Sequence, residues 1–337
     1  MGNPGKNAGV TSILAVAKAA GVSKATVSRV LNSRPGVNAK TKAKVLKVIE
    51  ESGYQPDETA RNLSFGKSSK VGLNTGFSSQ LNVHFFLFRQ YLESALFPKG
   101  MRVEQLPTDE RGLFPATADH MVIASIYDDD PRVAYLQERN IPFVSLGKSG
   151  ADFWVASDEY SGGQQAAEHL LKLGHRDILL LAGSVSGDGA MSSPLHTRAT
   201  SERIRGVRDA LGAAGVELPN KHILEGDFTG LGAFLAVRQA IRDGLKFTAV
   251  FALSDVMAAG AIKALEDHDL RVPDDVSIIG YDEIPEVGEA ITTIRQNTEE
   301  LAHAVADLLD DAIEGAEARS ITVPVELVVR GTTQQLR

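Results

Sequence analysis

The chain has 337 residues, no cysteine and a formal net charge of −8. Without cysteine it can form neither disulfides nor thiolate metal sites, and no metal or cofactor is expected. No apolar run approaches the roughly 20 residues of a membrane helix, and no secretory signal is evident, so the sequence predicts a cytoplasmic protein. Residues 1–10, rich in Gly and Asn, are expected to form a disordered tail.

Positive charge is concentrated near the amino terminus. Residues 1–70 carry 12 Lys and Arg against 4 Asp and Glu, a net charge of +8, and the remaining residues carry −16. A basic head on an acidic body is typical of a protein that binds a polyanion through the head alone.

Residues 11–55 carry the pattern of a helix-turn-helix head. Gly21 stands where a left-handed residue would end a first helix, and Ser23 can cap a second. A third helix is predicted over about residues 39–52, with Asn38 as its cap. Two short helices joined by a glycine-containing turn are typical of the motif that reads the DNA major groove, and an ordinary helical hairpin is the alternative. The apolar face of the first helix comprises Ile13, Val16, Ala17 and Ala20.

A hinge is predicted over residues 56–70, where a helix of about two turns would be too short to be stable alone in water. From residue 71 onward, short apolar strands alternate with helices, which favours parallel sheets with right-handed crossovers. Only residues 109–118 separate the second and third strands, too few for a crossover helix. The predicted fold class is a small all-α head plus an α/β core of two doubly wound subdomains.

The predicted strands are Val71–Leu73, Val103–Leu106, Met121–Ile126, Phe143–Leu146, Ile178–Leu181, Ala249–Ala252, Val276–Ile279 and Ile321–Val329. The predicted helices of the core are Val83–Phe97, Arg132–Arg139, Ser161–Leu173, Thr200–Ala214, Gly230–Asp243, Asp255–His268 and Thr298–Glu314.

Six segments carry a resemblance to a known family through their order and spacing. They are GVSKATVSRVLN (21–32), GYQP (53–56), ARNL (60–63), EHLLKLGHR (168–176), VPDDVSIIGYD (272–282) and TTIRQ (292–296). Together they resemble the LacI/GalR family of bacterial repressors, from about residue 12 to residue 330. The resemblance implies a homodimer that binds a pseudo-palindromic operator and a small effector, usually a sugar.

The resemblance also implies that residues 71–337 form an effector-binding and dimerisation core like that of periplasmic sugar-binding proteins. Its N-subdomain is expected at about 71–157 and 292–318. Its C-subdomain is expected at about 158–291 and 319–331.

The family positions for DNA contact fall on residues suited to them. Lys24, Ala25 and Arg29 match base-reading positions, since Lys and Arg reach guanine and an Ala methyl can touch a thymine methyl. Leu63, with Ala60 on the same face, matches a leucine that enters the minor groove, and a leucine of a small core is the alternative. The expected contacts to the DNA backbone are Ser23, Thr26, Ser28, Asn32, Asn38 and Thr41.

An effector site is expected in the cleft between the subdomains. Arg203 matches an arginine that reaches sugar hydroxyls or a ligand carboxylate, and Asp282 matches an acid that accepts from hydroxyls. A surface ion pair and a turn residue are the alternatives for these two. Phe85 or Trp154 could stack on a sugar ring or simply pack. The expected effector-binding residues are Asn82, His84, Phe85, Trp154, Arg203, Ser254, Asp255 and Asp282.

Two other functions stay open from the residues alone. An NAD-dependent enzyme would share the alternating strands and helices, but the glycines at 183, 187 and 189 do not form G-x-G-x-x-G, and no P-loop occurs. A sugar-binding protein without a DNA role would share the core but would not need the basic head. The sequence therefore predicts a DNA-binding transcription repressor, and not an enzyme.

Overall fold

The structure is a computed structural model that describes residues 13–23, 26–27, 30, 39–52, 69–76, 83–115, 117–183, 197–285, 287 and 289–336. It forms two compact units, a small helical head and a core that begins at Ser69.

The head contains helices α1 (Ile13–Ala20) and α2 (Ala39–Ser52), with helical residues between them at 26, 27 and 30. Gly21 ends α1 with φ +60°, as predicted, and the amide of Val22 donates to the carbonyl of Ala17 at 3.0 Å. The Oγ of Ser23 accepts from the amide of Thr26 at 3.1 Å, which is the predicted cap. The buried side chains of this small core are Val16, Ala17, Ala20, Val27, Val30 and Val45.

The core contains 12 strands and seven helices within the described residues. The strands are β1 (Ser69–Asn74), β2 (Met101–Gln105), β3 (His120–Ala124), β4 (Phe143–Leu146), β5 (Phe153–Ser157), β6 (Ile178–Ala182), β7 (Ile223–Glu225), β8 (Ala249–Ala252), β9 (Ser277–Asp282), β10 (Thr292–Gln296), β11 (Arg319–Val323) and β12 (Val325–Val328). The helices are α3 (Val83–Leu96), α4 (Pro131–Glu138), α5 (Glu159–Lys172), α6 (Arg198–Ala213), α7 (Gly230–Arg242), α8 (Asp255–Glu266) and α9 (Thr298–Glu314). Short 3-10 turns lie at Phe97–Lys99 and Asn220–His222.

Two six-stranded sheets define two subdomains. The first has the strand order β11-β5-β4-β3-β1-β2, with every pair parallel. The second has the order β12-β10-β9-β8-β6-β7, with only β12 antiparallel. The central strands are buried on both faces because helices cover both sides of a parallel sheet. The predicted α/β architecture is confirmed.

The edge strand β2 alternates half-buried and exposed residues, unlike the fully buried β6. The described residues between β2 and β3 contain no helix, as their short spacing predicts. Phe114 of this connection is buried against Met121 and Ile123 of β3, so the loop itself covers part of the sheet.

The predicted division between the subdomains is wrong at two strands. β10 belongs to the second sheet and β11 to the first, whereas the sequence interpretation assigned them the other way round. The predicted single strand over residues 321–329 is two strands that belong to different sheets, separated by Pro324. Proline lacks the amide that a continuing strand would donate, so the chain leaves one sheet there and enters the other.

The chain crosses between the subdomains three times, after β5, after β10 and after β11. Two of these crossings are joined by a buried hydrogen bond, in which the hydroxyl of Ser157 donates to Oε1 of Gln296 at 2.5 Å. The cleft between the two sheets lies at the carboxyl ends of their strands, where open α/β domains bind ligands.

Helices α5 and α6 pack closely through glycines. A Cβ placed on Gly206 would meet the carbonyl oxygen of Tyr160, whereas one placed on Gly212 of the same helix meets nothing within 4 Å. We therefore expect Gly206→Ala to lower the free energy of unfolding by about 1–3 kcal/mol through overpacking. Gly212→Ala is expected to be neutral or to stabilise the helix by up to about 1 kcal/mol. Urea denaturation of both variants tests this contrast, and equal losses would contradict it.

Candidate functional site

A cavity lies in the cleft, with about 740 Å³ of empty volume that is partly open to solvent. Both subdomains line it. From the first come His84 and Phe85 at the start of α3, and from the second come Arg203 and Asp282. The other lining residues are Ser125, Ile126, Leu146, Gly147, Ala156, Ser157, Glu159, Thr197, Ala199, Thr200, Phe228, Gln296 and Leu301.

A buried ion pair forms one wall of the cavity. Nε of Arg203 donates to Oε2 of Glu159 at 2.6 Å, and Nη1 donates to the carbonyl of Leu253 at 2.9 Å. The guanidinium stacks on the ring of Tyr281 at 3.6 Å, and the hydroxyl of Tyr281 donates to the same Oε2 of Glu159 at 2.8 Å. Arg203 is therefore held rigidly by groups on three elements.

A second polar chain leads from the cavity to the crossings. Nε2 of Gln296 donates to Oδ1 of Asp282 at 2.6 Å, and Ser157 donates to Gln296. Asp282 has φ 102°, a conformation that residues other than glycine rarely adopt. Its Oδ1 also lies 4.0 Å from Nδ1 of His84, so this carboxylate faces the opposite subdomain.

Burial sets the charge of the cavity. It lowers the pKa of His84 to about 4, with help from the positive charge of Arg203, so the imidazole is neutral at pH 7. Burial raises the pKa of Asp282 to about 7, against the opposing effects of Arg203 and the hydrogen bond from Gln296. Burial disfavours the charge of Arg203, but Glu159, Tyr281 and Asp282 together raise the pKa of its guanidinium above the ordinary value.

Further contacts join the subdomains at the cavity mouth. The amide of Arg198, at the first residue of α6, donates to the carbonyl of Ile126 at 2.8 Å. Nε of Arg198 lies 3.1 Å from Oδ1 of Asp128. The two subdomains are therefore in contact at the mouth of the cleft.

Three of the expected effector residues do not line the cavity. The hydroxyl of Ser254 caps α8 by accepting from the amide of Met257. Asp255 accepts from the hydroxyl of Thr293 and from the amide of Ile284, both at 2.7 Å, so its carboxylate serves the fold. Burial, with the nearby charge of Asp282, raises the pKa of Asp255 to about 7. Trp154 lies at the second residue of β5, away from the carboxyl end of the strand.

Several expected residues lie outside the described part of the chain. They are Lys24, Ala25, Ser28, Arg29, Asn32, Asn38, Ala60, Leu63 and Asn82. Of the expected DNA contacts, the described ones are Ser23, which is exposed, and Thr26 and Thr41, which are half-buried.

Glu159 and Gln296 line the cavity but did not emerge from the sequence. Glu159 follows strand β5 and Gln296 is the last residue of strand β10. The apolar pattern of the sequence revealed neither strand. The signal that could have located Glu159 is the pair Asp158-Glu159, because an acid that caps a helix directly after a strand marks the ligand-facing edge of a parallel sheet.

Among the described residues, no helix is both long and apolar enough to cross a membrane. Over the same residues, no group of three His, Asp or Glu side chains is placed to hold a metal ion.

Comparison with known proteins gives matches to both units. Residues 12–57 match the lacI family of bacterial regulatory proteins, and residues 167–333 match a periplasmic binding protein-like domain. The HTH-type transcriptional repressor PurR of Klebsiella pneumoniae is 31% identical over 95% of this chain and 96% of its own.

Two of the similar solved structures cover nearly the whole chain. The complex of the transcriptional regulator CelR with cellobiose is 29% identical, with a TM-score of 0.69 over 95% of this chain and 99% of its own. The Lac repressor dimer bound to operator and the anti-inducer ONPF is 27% identical, with a TM-score of 0.70 over 96% and 99%.

A helix-turn-helix head joined to a two-subdomain core with a ligand cleft defines a DNA-binding transcription regulator. The identity to the repressor PurR across nearly the full length then fixes the family. The chain belongs to the LacI family of bacterial regulatory proteins.

Proposed function

We propose that this protein is a cytoplasmic repressor, and not an enzyme, that binds a pseudo-palindromic operator as a homodimer and is controlled by a sugar-like effector. The observation that carries the proposal is the cavity itself. It places a buried arginine and a buried carboxylate, Arg203 and Asp282, opposite an aromatic residue of the other subdomain, Phe85. Polar groups that fix hydroxyls, together with an aromatic face, are what a sugar site needs.

The effector proposal also draws on the two related structures. CelR is in complex with cellobiose, and the Lac repressor dimer is bound to an operator. The residues proposed to hold the effector in this chain are Asn82, His84, Phe85, Arg203 and Asp282, with Glu159 and Gln296 behind them.

DNA recognition is assigned to the head. The recognition helix, with Lys24, Ala25 and Arg29, would read base edges in the major groove, and Leu63 of the hinge would enter the minor groove with Ala60. The remaining proposed contacts go to phosphates and come from Ser23, Thr26, Ser28, Asn32, Asn38 and Thr41.

Control follows from the three crossings. An effector bound to both walls of the cleft changes the angle between the subdomains, and in a dimer that angle sets the distance between two hinge segments. The effector can change operator affinity only by its differential affinity for the two arrangements of the core, typically about 1–3 kcal/mol.

The proposal is tested with the full chain. Duplexes selected from a random pool should yield an inverted repeat, and affinity for it should fall steeply with salt because phosphates are neutralised. A panel of neutral mono- and disaccharides and their acidic counterparts is then added to the complex. A sugar that both raises the melting temperature and shifts operator affinity supports the proposal. Failure to select any sequence, or the absence of a response to every sugar, would overturn it.

The recognition helix makes a separate prediction. Arg29→Ala should cost about 1–3 kcal/mol at the selected operator and relax the base preference at particular positions. Lys40→Ala should weaken binding to all sequences evenly, because a phosphate contact carries no base information. Repeating the random-pool selection with both variants measures this. If the Arg29→Ala variant selects the same bases as the wild type, Arg29 does not contact the bases.

A further inference from the structure

The charges in the cleft distinguish between two kinds of sugar ligand, and this inference rests on the proposed function. We propose that Glu159 restricts the effector to uncharged sugars by occupying the guanidinium of Arg203, the one cation that faces the cavity among the described residues.

Two of the five N–H donors of Arg203 are committed inside the protein. Its Nε is bound to Glu159 and its Nη1 to the carbonyl of Leu253. Nη2 is the guanidinium nitrogen that makes no hydrogen bond to any described residue. A carboxylate or phosphate is bound strongly by arginine when parallel donors on two adjacent nitrogens face it. Glu159 occupies Nε and so removes the Nε–Nη2 pair, and in the Nη1–Nη2 pair one of the two N–H groups of Nη1 is already bound to the carbonyl of Leu253. Nη2 and the second N–H of Nη1 can still donate to hydroxyl oxygens of a sugar.

The net charge of the cavity points the same way. Arg203 is opposed by two carboxyl groups, Glu159 and Asp282, and no lysine is among the described lining residues. The imidazole of His84 adds no positive charge at pH 7, because burial lowers its pKa to about 4. The chain segments 77–82 and 184–196, which adjoin lining residues in sequence, contain no lysine or arginine. An anion entering this buried site would therefore find no uncompensated positive charge.

The remaining lining groups suit a neutral polyol. Thr197 and Thr200 offer hydroxyls, with Oγ1 atoms 3.1 Å apart. Phe85 and Phe228 approach from opposite subdomains and present carbon surface to ring C–H groups. Hydroxyls, a carboxylate and aromatic rings together match a ligand of many hydroxyls and no charge.

The experiment compares matched ligand pairs on the full chain by thermal shift and calorimetry. The pairs are glucose with glucuronate, galactose with galacturonate, cellobiose with cellobionate, and ribose with ribose 5-phosphate. The neutral member of at least one pair should bind at least tenfold more tightly than its anionic counterpart. Tighter or equal binding of the anion by the wild-type chain overturns the charge selection alone. Binding of no member of either class overturns the sugar-effector proposal, and this inference with it.

The Glu159→Gln variant tests the residue itself. Loss of the carboxylate frees part of the guanidinium, so the tenfold preference against the anionic partner should shrink or reverse. The control is Glu202→Gln, which removes the same charge from an acid that pairs with Arg205 instead. An unchanged preference in Glu159→Gln, or an equal change in Glu202→Gln, would show that Glu159 does not select against anions. The wild-type pairs remain decisive if the first variant does not fold.

Discussion

Arg132→Met is expected to destabilise the core by about 3–5 kcal/mol, the largest effect of any single change considered for this protein. The Arg132 side chain is fully buried and its partner Asp130 is 1% exposed, with Nη2 of Arg132 2.6 Å from Oδ2 of Asp130. The guanidinium also donates to Oδ1 of Asn74 at 2.8 Å and to the carbonyl of Ala124 at 2.9 Å. It therefore fastens together the carboxyl ends of β1 and β3. Chemical denaturation of wild type and variant measures the loss.

A matched control separates burial from ion pairing as such. Arg319 pairs with Asp311 at 2.6 Å, but its side chain is 53% exposed, so Arg319→Met should cost no more than about 1 kcal/mol. Adding Asp130→Asn to the Arg132→Met variant should recover part of the stability, because it removes the charge left unpaired in the interior. Similar losses for the two single arginine variants would show that burial does not set the strength of the Arg132 pair.

Arg203→Met should make the protein nearly unresponsive to its effector while leaving operator binding without effector close to that of wild type. A hydrogen bond from a charged donor contributes about 1.5–3 kcal/mol, so the effector concentration for half-maximal response should rise about 10- to 100-fold. Asp282→Ala should have the same direction of effect. The measurement is an operator-binding titration with the sugar that gives the largest thermal shift.

The control for this prediction lies two residues away on the same helix. Arg205 is 56% exposed and pairs with Glu202, so Arg205→Met should respond to effector as wild type does. Because Arg203→Met leaves Glu159 buried without its cation, the double variant with Glu159→Gln shows whether lost response comes from lost stability. If both Arg203→Met and Asp282→Ala respond to the effector as the wild type does, the effector does not bind in this cleft.

Sequence periodicity located the helices of the core but not every strand. All seven core helices occur within three residues of their predicted ends, because the spacing of their apolar residues and the residues that start and stop a helix are local signals in the sequence. β10 was missed because its buried residues include Thr292 and Thr293. Their hydroxyls are satisfied by Thr333 and Asp255, partners that only the folded chain brings near. A polar strand of this kind carries no apolar signal.

The sequence predicted some residues of the candidate site and not others, and the difference has a physical reason. Arg203 and Asp282 were located by the family resemblance of their segments, and the structure brings both to the cavity. Ser254 and Asp255 lie where a strand ends and a helix begins, as a ligand-binding residue often does. Their side chains, however, hydrogen-bond to the start of α8 and to Thr293. A polar side chain at a strand end can either bind a ligand or hydrogen-bond within the protein. Which of these it does depends on its partners, and those come from distant parts of the chain.

The last two strands, β11 and β12, flank Pro324 but belong to different sheets, and this has a consequence for biosynthesis. The first sheet gains its outer strand from residues 319–323 and the second gains one from residues 325–328. Neither subdomain is complete on a nascent chain shorter than about residue 319, and until then β5 and β10 present open sheet edges. The first sheet therefore gains its last strand only a few residues before the second does, and we expect both subdomains to complete folding late, as the last strands are synthesised.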